Sequence, residues 1–147
     1  MLIPELSMDA LELEVRLRQS AQSDDPPWDH RLLIEELEQS GAGIEAVEPI
    51  LRFMEEHPLL ELGVPGSLVH FVETFADERY EPLLLASLRR RPTSHTVWML
   101  NRVINGKKSR VDRLALCVEM GAARNHPLAD DETRLSAQEF LDLHNDR

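Results

Sequence analysis

This chain of 147 residues predicts an all-α fold of about seven to eight antiparallel helices, arranged as an α-solenoid (HEAT-like) or an irregular helical bundle. Three observations carry that prediction. Apolar residues recur at i, i+3 and i+4, and outside LELEVRLR at residues 11–18 no stretch keeps the strict alternation of a half-buried strand over more than a few residues. Proline, glycine and capping residues break the pattern into helix-length pieces joined by two to eight residues. Aromatic residues make up only 5% of the chain while Leu is abundant, as suits helices packed through aliphatic side chains.

The first helix is expected over residues 7–21, capped by Ser7, with Leu11, Val15 and Leu17 as its apolar stripe. Asp9, Glu12 and Glu14 lie near its positive end. The loop QSDDPPWD then leads through Pro26 and Pro27 into a second helix, about Trp28 to Ser40. Leu32, Leu33, Ile34 and Leu37 point inward there, and Gly41 follows as the left-handed stop. A third helix runs from about Ile44 to Glu56 with Val47, Ile50, Leu51 and Met54 inward, and Pro49 kinks it or shifts its start.

The chain from Gly63 to Gly106 reads as the packed centre. Pro65 opens a fourth helix to about Ala76, with Leu68, Val69, Val72 and Phe75 at apolar spacing. A fifth covers about Glu78 to Arg90 with Leu84, Leu85 and Leu88 inward. Thr93 or Ser94 caps a sixth that is apolar on most sides, hence buried, until Asn105-Gly106 ends it. Ser109 caps a seventh, bearing Val111, Leu114, Leu116, Val118 and Met120. The last runs from about Glu132 to His144 with Leu135, Ala137, Phe140, Leu141 and Leu143. The length fits one domain over residues 1–147, with acidic N-terminal helices over 1–62 and packed central and C-terminal helices over 63–147.

Charge divides the chain unevenly. Residues 1–62 hold 15 Asp and Glu against 4 Arg, or −11, and residues 63–147 hold 12 of each sign. Within the neutral part, residues 89–113 carry eight basic side chains and Asp112 alone, or +7. An overall charge of −11 disfavours nucleic acid and anionic membrane and favours a basic protein partner. The acidic face expected to meet it comprises Glu35, Glu36, Glu38, Glu45, Glu48, Glu55 and Glu56. Glu35, Glu38, Glu45 and Glu48 are the leading candidates for partner binding, and Trp28, beside Pro27 in an acidic loop, is the candidate anchor. The basic run holds a single aromatic residue, Trp98, and so lacks the interleaved aromatics that base stacking requires.

Catalytic chemistry is not legible. No glycine-rich phosphate loop, hydrolase serine motif or cysteine pair is present, so neither an enzyme nor a cofactor nor a metal is expected. His70, Glu73 and Asp77 fall on one helical face, but His-x-x-Glu is a weak ligand signal, and a structural His70 at a helix interface is the plainer expectation. Cys117 reads as a small core filler, Trp98 as core, and Asn101 and Asn105 as ties to neighbouring backbone. The lone cysteine, the lack of a basic-then-apolar leader and the lack of a long apolar run fit a cytoplasmic protein.

The segments PGSLVHFVE (Pro65 to Glu73), Tyr80, RRPTSHTVWMLNRVING (Arg90 to Gly106) and AQEFLDLH (Ala137 to His144) resemble those of small all-helical bacterial immunity proteins. These accompany polymorphic toxins delivered by contact-dependent or type VI secretion. The likeness covers about residues 63 to 144. It implies neutralisation of a cognate toxin, often a nuclease, by stoichiometric binding in the cytoplasm. A helical adaptor binding another cellular protein is the alternative.

Overall fold

The computed structural model describes residues 8–76 and 79–145, and every regular element among them is helical: eight α-helices and one 3₁₀ turn. The all-α expectation holds. The chain divides into two compact units, Met1–Tyr80 and Glu81–Arg147. Charge therefore changes at residue 62 and packing at residue 80, inside the stretch that reads as one centre. By unit, the first holds 18 acids and 5 bases, or −13, and the second 9 acids and 11 bases, or +2.

In the first unit, α1 spans Ala10–Ser20 and its cap is Asp9, whose carboxylate accepts the Glu12 N–H at 2.8 Å. Ser7, the expected cap, lies outside the described residues. The buried stripe of α1 is Leu13, Leu17 and Ser20, while Leu11 and Val15 are exposed, so the helix is turned away from the predicted face. The apolar positions at 11, 13, 15 and 17 fit two faces about equally, and packing selects one.

Helix α2 spans Pro26–Gln39 and starts earlier than predicted, because Pro26 and Pro27 occupy its first turn, where no N–H is required. Its end is a Schellman turn. Gly41 takes φ 74°, its N–H reaches the Glu38 carbonyl, and the Ala42 N–H reaches Leu37. A 3₁₀ turn, Ile44–Ala46, leads into α3, Val47–Glu56. Pro49 thus sits in the first turn of α3, and the start shifts without a kink.

The fourth helix, α4, is Ser67–Glu73, two residues later than expected. Pro65 precedes it in a turn, after a cis peptide bond. Gly63 and Gly66 hold φ of 100° and 90° there. A Cβ on Gly66 would lie 1.7 Å from the Leu62 carbonyl oxygen, so only glycine fits. Helix α1 packs on α2 and α3, α2 on α4, and α3 on α4. Pairing of first with third and second with fourth is how consecutive helical hairpins stack in a solenoid.

Helix α5, Tyr80–Arg90, opens on the last residue of the first unit, and Glu78 lies outside the described residues. Its buried side chains include Leu84, Ser87 and Leu88, while Leu85 is half-buried. The second unit continues with α6, Ser94–Gly106; α7, Arg110–Arg124; and α8, Asp131–Asn145. Thr93 and Thr96 form a reciprocal capping box at the start of α6, with backbone bonds of 3.0 and 3.2 Å. Ser109 caps α7 and Asp130 caps α8. Each of α6, α7 and α8 packs on the other two, as in a small bundle. Val97, Met99, Leu100 and Ile104 of α6 are fully buried, as predicted. Trp98 is only part-buried, with the Arg102 guanidinium 4.9 Å from its ring centroid.

Candidate partner-binding face

Helix α2 buries His30, Leu33, Ile34 and Leu37, and the helical period places everything near the opposite direction in solvent. Trp28, Arg31, Glu35 and Glu38 follow one another at i, i+3, i+7 and i+10, so they share that outer face. Trp28 is 51% exposed. Leu32, predicted inward, is 42% exposed one turn after Trp28, so the tryptophan has an apolar neighbour. The corresponding inward place belongs to His30, which is fully buried. A run of three apolar residues cannot all face one way on a helix, and the core selected Leu33 and Ile34.

Arg31 is the residue that sequence reasoning passed over. Its guanidinium lies 5.6 Å from the Trp28 ring centroid and its Nε is 3.5 Å from Glu35. It therefore holds the indole outward by a cation–π contact and offsets the charge of Glu35. The i, i+3 and i+4 spacing to Trp28 and Glu35 was its signal. Glu38 has no ionic partner among the described residues and is exposed.

Glu45 and Glu48 are exposed as well, on the 3₁₀ turn and the first turn of α3. The Glu45 carboxylate accepts the Gly43 N–H at 2.8 Å, and backbone donors hold it below the usual carboxylate range. Glu48 is bound by Arg52, Nη2 to Oε1 at 2.9 Å. On α3 the outward stripe is narrow, Glu48, Arg52 and Glu56. Glu55, expected on the acidic face, is buried instead, because it falls one position off that stripe. The structure thus groups Trp28, Glu35 and Glu38 on one helix face and places Glu45 and Glu48 on other elements.

The remaining arginines of the acidic part are also engaged: Arg16 with Glu36 at 2.7 Å and Arg18 with Glu56 at 3.9 Å. All four basic residues of residues 1–62 therefore neutralise an acid locally, and 11 acids remain in excess. These are exposed pairs, so each adds little to stability. In the basic run, Arg89 pairs with Glu119, and Lys107 with Glu81 at 2.8 Å. Glu81 holds the Lys107 ammonium above its ordinary range. Arg113 donates to the Lys107 and Lys108 carbonyls at 3.1 and 2.9 Å, which ties off the end of α6. Arg89, Lys107 and Arg113 of the run thus have structural partners, and Arg102 stacks on Trp98.

The expected structural histidine is not His70, which is exposed on α4. Asp77 lies outside the described residues, and among the described residues no cluster of three His, Cys, Asp or Glu is placed to hold a metal ion. The structural roles fall to His30 and His144. Ser20 Oγ donates to the Leu17 carbonyl at 2.5 Å, so the 2.8 Å contact to His30 is filled by the proton on His30 Nε2. Nδ1 then faces the core as a bare lone pair without a hydrogen-bond partner. Burial pushes the His30 pKa down from 6.5 to about 4, against the opposing pull of the Asp29 carboxylate. His144 bonds Asn101 Oδ1 at 2.6 Å, so Asn101 ties α6 to a side chain of α8 and not to backbone. Asn105 is exposed. Cys117 is part-buried, and burial pushes its thiol pKa up, which disfavours the nucleophilic thiolate.

The chain matches no known protein family, and neither characterised proteins nor solved structures show a match to it. No helix among the described residues is long and apolar enough to cross a membrane.

Proposed function

We propose that this protein is a stoichiometric inhibitor of the immunity type, which binds a basic toxin, such as a nuclease effector, through the acidic helices of its first unit in the cytoplasm. The observation that carries the reading is the charge of −13 in residues 1–80, with Trp28 exposed on the same face of α2 as Glu35 and Glu38. An acidic surface accelerates encounter with a basic partner and selects against acidic ones, while an aromatic anchor supplies the buried contact that slows dissociation. A nuclease presents a basic surface to its nucleic acid, and an acidic protein bound there excludes the substrate without any catalytic step.

Co-expression with the product of the adjacent reading frame, followed by stopped-flow association, tests this. Association is expected to slow by about tenfold as ionic strength rises from roughly 20 to 300 mM. Glu35→Lys with Glu38→Lys should slow it at low salt and flatten that dependence. Trp28→Ala should raise the dissociation rate by about tenfold or more. Association that is indifferent to both salt and charge reversal sinks the acidic-face reading. Binding of a housekeeping protein in place of a toxin selects the adaptor alternative.

A further inference from the structure

The second unit carries an apolar stripe that no element of that unit covers. Helix α7 buries Leu116, Met120 and Ala123. Its opposite side presents Val111, Ala115, Val118 and Ala122 at i, i+4, i+7 and i+11, a straight seam without a charge in it. Val111 is 75% and Val118 73% exposed, and Leu114 borders them. The neighbouring α8 buries Thr133, Ala137, Leu141 and His144 and turns Leu135 outward at 61% exposure, between acids at 132, 139 and 142. Helix α6 packs against both, leaving the far side of the pair open.

The two helices run antiparallel, stitched by Arg124 Nη1 to Gln138 Oε1 at 2.6 Å, with Gln138 in turn donating to Asp142 at 2.8 Å. The start of α7, with Lys108 and Arg110 exposed, thus lies at the same end as the close of α8, with Glu139 and Asp142 exposed. A twofold axis along such a pair lays α7 of one copy over α8 of the other, start above close. Lys108 and Arg110 then meet Glu139 and Asp142 twice, once in each direction, while Val118 and Leu135 meet in the middle. The face is self-complementary in charge and in apolar content, as an isologous contact requires.

We infer that the α7–α8 face is a homodimer interface, closing two helical hairpins into an antiparallel four-helix bundle. Two 15-residue helices side by side offer roughly 22 by 20 Å, or about 900 Å² over both copies. That is below the size of a standard stable interface, so the association is weak.

Sedimentation equilibrium of the full chain between about 5 and 500 μM tests this. The wild type should shift from monomer to dimer across that range. Val118→Glu should weaken dimerisation by at least about tenfold; it sits in solvent in the monomer, so the far-UV circular dichroism should not change. Arg110→Glu should also weaken it, and Arg110→Glu with Asp142→Arg should restore it. A wild type that stays monomeric at the highest concentration overturns the inference, and so does Val118→Glu dimerising like the wild type. So does a double variant no better than Arg110→Glu alone, since a contact with some other acidic partner would show no such rescue.

Discussion

Acid should destabilise the first unit through His30 more than through any other histidine. The ring is fully buried, its Nε2 proton is committed to Ser20 Oγ, and its Nδ1 lone pair has no donor or acceptor beside it. Protonation would put a second N–H into the core without an acceptor, in a pocket where Phe53 makes a T-shaped contact at 5.6 Å between ring centroids. The folded-state pKa near 4 lies below the unfolded value of 6.5. Between these values the unfolded chain binds more protons, so stability rises with pH and is lost as pH falls from about 6.5 toward 4.

The full shift is equivalent to about 3 kcal/mol, of which about 2 kcal/mol is lost between pH 7.5 and pH 5. That is a large part of an ordinary domain's stability. Urea unfolding at these two pH values, followed by Trp28 fluorescence in a Trp98→Phe background, reads the first unit. His30→Leu leaves Ser20 Oγ bonded to the Leu17 carbonyl and supplies no titrating group. The wild type should lose about 2 kcal/mol more than His30→Leu over that interval. Equal losses in the two proteins would refute the assignment of a neutral, desolvated His30.

Two further outcomes follow from geometry. Gly66→Ala should destabilise the first unit by more than about 2 kcal/mol in the same urea assay, because the left-handed φ and the 1.7 Å approach to the Leu62 oxygen leave no room for a methyl group; Gly41→Ala, where a Cβ meets nothing within 4 Å, should cost less. Asn101→Leu should destabilise the second unit by about 1–3 kcal/mol, followed by Trp98 fluorescence, since it takes the acceptor from the buried His144 ring.

The helices and their ends were legible because each depends on neighbours within a turn. Gly41 stops α2, Thr93 caps α6, and Ser109 caps α7. These are local bonds between residues two to five apart, so residue type and spacing predict them. Prolines were harder: Pro65 suits a first helical turn, yet the tight pair Gly63 and Gly66 places it before α4. The acidic character of the first part and the exposure of Trp28, Glu35, Glu38, Glu45 and Glu48 were likewise legible, because ionised carboxylates are costly to bury.

Orientation was not local. In α1, α2 and α7 the apolar residues outnumber the places one face can bury. Only the packing partners decide that Leu13 and Leu17 go in while Leu11 and Val15 stay out, or that Leu116 and Met120 go in while Val111 and Val118 stay out. Burial of His30 and Glu55, the tie between Asn101 and His144, and the unit boundary at residue 80 come from contacts distant in sequence. Sequence by itself determined that the chain is helical, where its helices stop and which part carries the charge. Tertiary structure decided which side of each helix meets the core, because burial rewards apolar area wherever it comes together and is blind to spacing along the chain.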